Sequence, residues 1–248
     1  MKKQLLIIVA LFTFSLGTCL AQDEEESKTK HKGTYNDFNI DLGINNFLED
    51  GNFPSDNNAP YSVKPWGSWY IALKSTNHTK VGGPLYLLWG GDISFYNFKF
   101  DNEDMRMTET DNGVVFSEAG DIHSKKSKLT AAYVNASLVP MLKFGNTESH
   151  HHRHCHWDMW DESAGFRIGA GVYAGYKIGS YTKVVTEEDG DKHKDRNHDA
   201  FYLNNVRYGM RVQAGFRGVD VFFNYDMNEL FADNKGPKLN AFSFGVVL

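Results

Sequence analysis

The sequence predicts an all-β chain folded as an eight-stranded antiparallel up-and-down transmembrane β-barrel. Three observations carry that expectation. Apolar residues alternate with polar or glycine residues along eight long segments, no helical period lies between those segments, and the connections joining them alternate in length.

The N-terminus comes first. Lys2 and Lys3 precede an apolar run from Leu5 to Leu16, and Cys19-Leu20-Ala21 places small residues where a signal peptidase reads. Residues 1–21 are therefore expected to be a cleaved export signal, too short in its apolar part to span as a helix. Leu16-Gly17-Thr18-Cys19 is also a poor lipobox, so lipid attachment at Cys19 is the alternative. Residues 22–33 read as a charged, acidic linker. Of 26 Lys and Arg residues, loss of Lys2 and Lys3 leaves 24 against 31 Asp and Glu, which argues against nucleic acid as a partner. Cys155 is then left with no second cysteine for an intramolecular disulfide.

The barrel is expected over 34–248. In a first strand at about 34–47, Phe38, Ile40, Leu42 and Ile44 alternate with Asn39, Asp41, Gly43 and Asn45. A second, at 66–76, sets Trp69, Ile71 and Leu73 against Ser68, Tyr70, Ala72 and Lys74. A third, at 84–101, sets Leu85, Leu87, Trp89, Ile93 and Phe95 against Gly90, Asp92, Ser94 and Tyr96. The fourth, at 128–144, has a thin apolar face of Ala132, Val134, Ala136 and Leu138. Pro140 lacks the N–H that a ladder needs and belongs at a strand end or bulge.

The fifth segment, 164–183, is the clearest. Phe166, Ile168, Ala170, Val172, Ala174, Tyr176 and Ile178 alternate with Arg167, Gly169, Gly171, Tyr173, Gly175 and Lys177, a glycine load no helix of that length tolerates. A sixth strand at 200–216 sets Val206, Tyr208, Met210, Val212 and Phe216 against Arg207, Gly209, Arg211, Gln213 and Gly215. A seventh at 219–230 sets Val219, Val221, Phe223 and Tyr225 against Asp220, Phe222, Asn224 and Asp226. The eighth, at 238–248, carries Phe242, Phe244, Val246 and Leu248 to the end of the sequence, where an outer-membrane barrel keeps its insertion signal.

Each segment reaches the roughly 9–11 residues that a tilted spanning strand requires. With the N-terminus at the periplasmic side, connections 48–65, 102–127, 184–199 and 231–237 point outward, and 77–83, 145–163 and 217–218 point inward. Outward loops are mostly long and inward turns mostly short, as outer-membrane barrels are built. A lipocalin-like soluble barrel would bury the apolar face instead. Aromatics crowd that face, which suits a lipid interface. The other face carries Asp41, Lys74, Asp92, Arg167, Lys177, Arg207, Arg211, Asp220 and Asp226, a near-balance that suits a closed lumen where charges must pair.

The segments DLGINNFLE, VKPWGSWYIALKS, GGPLYLLWGGDISFYNFKF, FYLNNVRYGMRVQAGFRGVDVFFNYDMNELF and KGPKLNAFSFGVVL resemble the PorT-like outer-membrane β-barrel domain family of Gram-negative anaerobes. The resemblance implies an eight-stranded outer-membrane barrel and no catalytic residues.

One stretch stands apart. In HHHRHCHWDMWD (150–161), His152, His154 and His156 share one side of an extended segment, and Cys155 lies between them. Such residues could ligate zinc, copper or nickel. A designed site, however, draws ligands from separate rigid elements, so the stretch reads as a polar turn first and a metal site second. Glu187 to Asp195 lacks the oxygen-ligand spacing and closing Glu of a calcium loop. No nucleophile elbow, P-loop or HExxH motif occurs, so neither an enzyme nor a cofactor is expected. The expected partners are outer-membrane lipid and lipopolysaccharide, with barrel-assembly machinery during insertion. Any protein partner, periplasmic or extracellular, is left unspecified.

Overall fold

The computed structural model describes residues 33–54, 59–118, 124–145, 165–188 and 191–248. Its strands are β1 (Thr34–Glu49), β2 (Trp69–Gly82), β3 (Leu85–Lys99), β4 (Met105–Thr110), β5 (Gly113–Glu118) and β6 (Ser124–Lys143). They continue as β7 (Arg167–Glu188), β8 (Asp191–Asn197), β9 (Val206–Phe216), β10 (Val219–Asp226) and β11 (Leu239–Val247).

Eight of these form a ring in the order β6-β3-β2-β1-β11-β10-β9-β7, closed by antiparallel pairing of β6 with β7. Closure satisfies every strand edge, which an unsatisfied backbone in lipid would demand. The tilt follows from the register. From Gly43, pairs run one way through Tyr70, Tyr96 and Ala131 to Ser180. The other way they run through Gly245, Phe222 and Gln213 to Gly169. The two paths meet β7 eleven residues apart, one of them being Ile178, which bulges where Ala132↔Gly179 gives way to Tyr133↔Lys177. A stagger of about ten residues around eight strands tilts them by about 40°.

The alternation read from the sequence sets the faces. Val172, Val212, Tyr208, Met210, Phe223 and Phe244 face outward and are exposed, whereas Asp41, Arg207, Arg211 and Asn224 are buried in the lumen. On β7 the outward apolar run from Phe166 to Ile178 covers roughly 30 Å of axis at this tilt, enough for the ~25 Å apolar band of such barrels. These orientations exclude a barrel with this apolar face turned inside.

Lumen glycines let adjacent strands approach. A Cβ on Gly171 would lie 2.1 Å from the Leu138 carbonyl oxygen. At the β9–β10 turn, Arg217 (φ 47°) and Gly218 (φ 83°) both take positive φ, the two-residue geometry that matches strand twist. Pro140 lies inside β6, not at its end, at a lapse where the β6–β7 ladder passes from Leu138↔Val172 to Met141↔Gly169.

Two outward connections and one strand start depart from the expectation. Residues 102–127 contain the β4–β5 hairpin, turned at Asp111-Asn112-Gly113. The 184–199 connection is largely strand, since β8 pairs with an extended β7. The sixth strand begins at Val206, not at residue 200: Phe201 and Tyr202 take positive φ, and Phe201 and Leu203 fold inward over the barrel end.

Candidate functional site

The lumen is layered. Lowest on the inner face, Arg167 Nε donates to Asp220 (2.5 Å), and Gln213 donates to the second Asp220 oxygen (2.7 Å). The same Gln213 accepts from Arg211 (3.1 Å), whose guanidinium grips Asp41 through two nitrogens (2.7 and 3.3 Å). Lys74 approaches Asp41 at 3.6 Å and sits opposite Asp92 in register. Asn135 donates to Asp92 (2.5 Å) and to Ser94 (2.8 Å). One connected network thus runs from Arg167 to Lys74, and it leaves no lumen charge without an opposite neighbour or a hydrogen bond.

Above it, Arg207 sits in a cage of aromatic rings. Its guanidinium donates to Asp226 (2.8 Å) and to the Tyr96 hydroxyl (2.5 Å). The guanidinium carbon lies 4.5, 5.0 and 4.8 Å from the ring centres of Tyr96, Tyr133 and Tyr173. Tyr173 donates in turn to Asp226. Weakly hydrated guanidinium is the cation that such ring faces hold best. Between the layers, Tyr70, Lys74, Asp92, Tyr173, Arg207 and Arg211 line a space of about 10 Å³, room for about one water. Buried side chains fill the lumen at this level.

The outer end is apolar. Phe47, Phe98 and Leu239 at the strand tops meet Val63, Met105, Met107, Phe201, Leu203, Leu230 and Phe231 from all four outward connections. Glu109 accepts from the Phe201 backbone N–H (2.5 Å), tying the β4–β5 hairpin to the β8–β9 connection. Tyr61 donates to Glu49 (2.6 Å); burial, and then that bond, push its hydroxyl well above the usual tyrosine range. The loops therefore close the barrel with a hydrophobic plug instead of lying free in solvent.

Of the nine charges assigned to the lumen, eight join this network. Lys177 is the exception. It stands on the inner face, but its amine rises to the carbonyl oxygens of Leu203 (2.7 Å) and Ala200 (3.2 Å), tying β7 to the cap. His152, His154, Cys155 and His156 lie outside the described residues, as do the signal segment 1–21 and most of the linker 22–33. Among the described residues no group of three or more His, Cys, Asp or Glu side chains is arranged to hold a metal ion. Sequence reasoning missed the tyrosine cage and the plug. The first had a signal, since Tyr96, Tyr133 and Tyr173 alternate with the outward apolar positions of their strands, where lipid does not explain an aromatic.

Fold and lumen together define a class: a closed, side-chain-filled antiparallel barrel with its apolar face turned outward. No protein-family model matches the chain, and no curated protein matches it. Among solved structures it is similar to Ail, the attachment invasion locus protein of Yersinia pestis, crystallised with the heparin analogue sucrose octasulfate. The two share 12% identity, with 88% of this chain and 97% of that chain covered, at a TM-score of 0.34.

Proposed function

We propose that the protein is a small, non-catalytic outer-membrane barrel serving a structural, envelope or surface-recognition role, related to the PorT-like family that its sequence resembles. The observation that carries the reading is the pairing of a broad apolar exterior with a charge-matched, filled lumen. Exposed Val172 and Val212 would be costly in water as part of so large an apolar patch, and in lipid they are at home. A filled lumen supports scaffold or surface work over transport. The motif-poor sequence supports the absence of catalysis, and the export signal expected over residues 1–21 supports the envelope compartment. Fractionation, combined with gel mobility before and after boiling, tests the reading. An outer-membrane band that shifts on heating is expected. A chain recovered in the soluble periplasm without a heat shift would refute it.

A further inference from the structure

Above the apolar band, β6, β7 and β8 continue as a three-stranded extension whose charges are sorted by face. Register places Lys128, Lys183 and Arg196 directly opposite one another across the three strands. Lys126 flanks this row through Val185, and Lys194 pairs with that same Val185. In β8 the sequence Asp191-Lys192-His193-Lys194-Asp195-Arg196 alternates, so its bases share one face and its acids the other.

That basic face is the lipid side of the barrel. Below the row Tyr181 pairs with Thr130, and Gly179 with outward-facing Ala132, so the cations stand four residues, or two outward-facing positions, beyond Ala132 and Gly179. Tyr181 forms the junction, its ring centre 5.8 Å from the Lys128 amine and 5.9 Å from the Arg196 guanidinium carbon. Among the described side chains Glu187 is the one acid on this face, and it is engaged by Lys125. Like charges directly opposite across strands destabilise a sheet. Burial, and then the neighbouring Lys126 and Lys183, hold Lys128 below the ordinary lysine range against the pull of Tyr181.

A row of mutually repelling cations, continuous with a lipid-facing surface and at headgroup height, calls for anions supplied by the lipid. We propose that this face binds the phosphate groups of a phosphorylated glycolipid in the outer leaflet, with Lys128, Lys183 and Arg196 as the central contacts and Tyr181 at the headgroup boundary. The proposal rests on the outer-membrane reading above. Charge complementarity and continuity with the apolar belt select a lipid over a soluble polyanion, which would need no belt beneath the site.

The test uses the folded full barrel in neutral detergent, with native mass spectrometry reading the binding of bisphosphorylated lipid A and of the same lipid stripped of phosphate. Wild type should prefer the phosphorylated form by about a hundredfold, at roughly fivefold for each of the three basic contacts. The Lys128→Gln/Lys183→Gln/Arg196→Gln variant should lose that preference, and Asp191→Asn/Asp195→Asn on the opposite face should keep it. If the triple variant does not fold, the wild-type comparison of the two lipids decides alone. Equal binding of both lipids, or tripolyphosphate competing as tightly as lipid A binds, overturns the proposal. A barrel that inserts into neutral bilayers yet shows no phosphate preference sinks this inference only. Failure to insert into any bilayer sinks the outer-membrane reading itself.

Discussion

The lumen and the β6–β7–β8 extension both concentrate cations, and they treat them in opposite ways. Inside, Arg207 has Asp226, Arg211 and Lys74 share Asp41, and Arg167 has Asp220. On the extension's outer face, Lys128, Lys183 and Arg196 oppose one another with no acid in the row. Burial explains the difference. A cation removed from water must be matched within the protein, because an unmatched one costs several kcal/mol. At the surface, solvent and counterions supply the missing charge, and the protein is free to leave a site for a ligand's anion.

Breaking the matched side should have the largest effect. Arg211→Met leaves Asp41 with only the Lys74 amine at 3.6 Å and loosens Gln213 and Asn224, which lie 3.1 and 3.2 Å from the Arg211 guanidinium. A loss of about 3–5 kcal/mol is expected in urea refolding titrations into lipid vesicles. Phe231→Ala, removing a side chain 1% exposed at the centre of the plug, should cost about 3–5 kcal/mol locally. It should appear as faster hydrogen exchange in the outward connections while the heat-modifiable barrel persists. Val172→Arg sets a new, unmatched cation against lipid and should cost roughly 2–4 kcal/mol in the same titrations.

The smallest effect belongs to a half-buried surface cluster. Glu103 accepts from Lys99 (3.0 Å) and Lys64 (3.2 Å), and these bonds hold its carboxyl below the ordinary range. Its contribution is present above the unfolded value near 4.5 and fades as pH falls through the lower folded value. Glu103→Gln should therefore remove only a few tenths of a kcal/mol at neutral pH and nothing in strong acid.

Much of this was legible in the residues because lipid imposes a strict period. Every spanning strand must show apolar side chains outward at alternate positions, so Val206 to Phe216 and Val219 to Tyr225 declare their faces without tertiary information. The charge-bearing inner face followed from the same alternation. Which acid meets which base did not, since Arg211 and Asp41 are 170 residues apart and meet only once the stagger is fixed. The outward connections were legible least. There the apolar residues Val63, Met107, Phe201 and Phe231 obey no period, because the plug gathers them from four separate segments. The β4–β5 hairpin did leave a local signal, Asn112-Gly113 between alternating residues, that a reading of long loops passes over.

The account's central claim is that alternate residues face lipid and a closed ionic lumen. Nitroxide labels placed singly along residues 206–216 in a Cys155→Ser background, with the barrel in bilayers, test it most directly. Collision with dissolved oxygen should peak at Tyr208, Met210 and Val212 and fall at Gly209, Arg211 and Gln213, with a period of two residues. Maxima at Gly209, Arg211 and Gln213, or a flat profile across the strand, would contradict it.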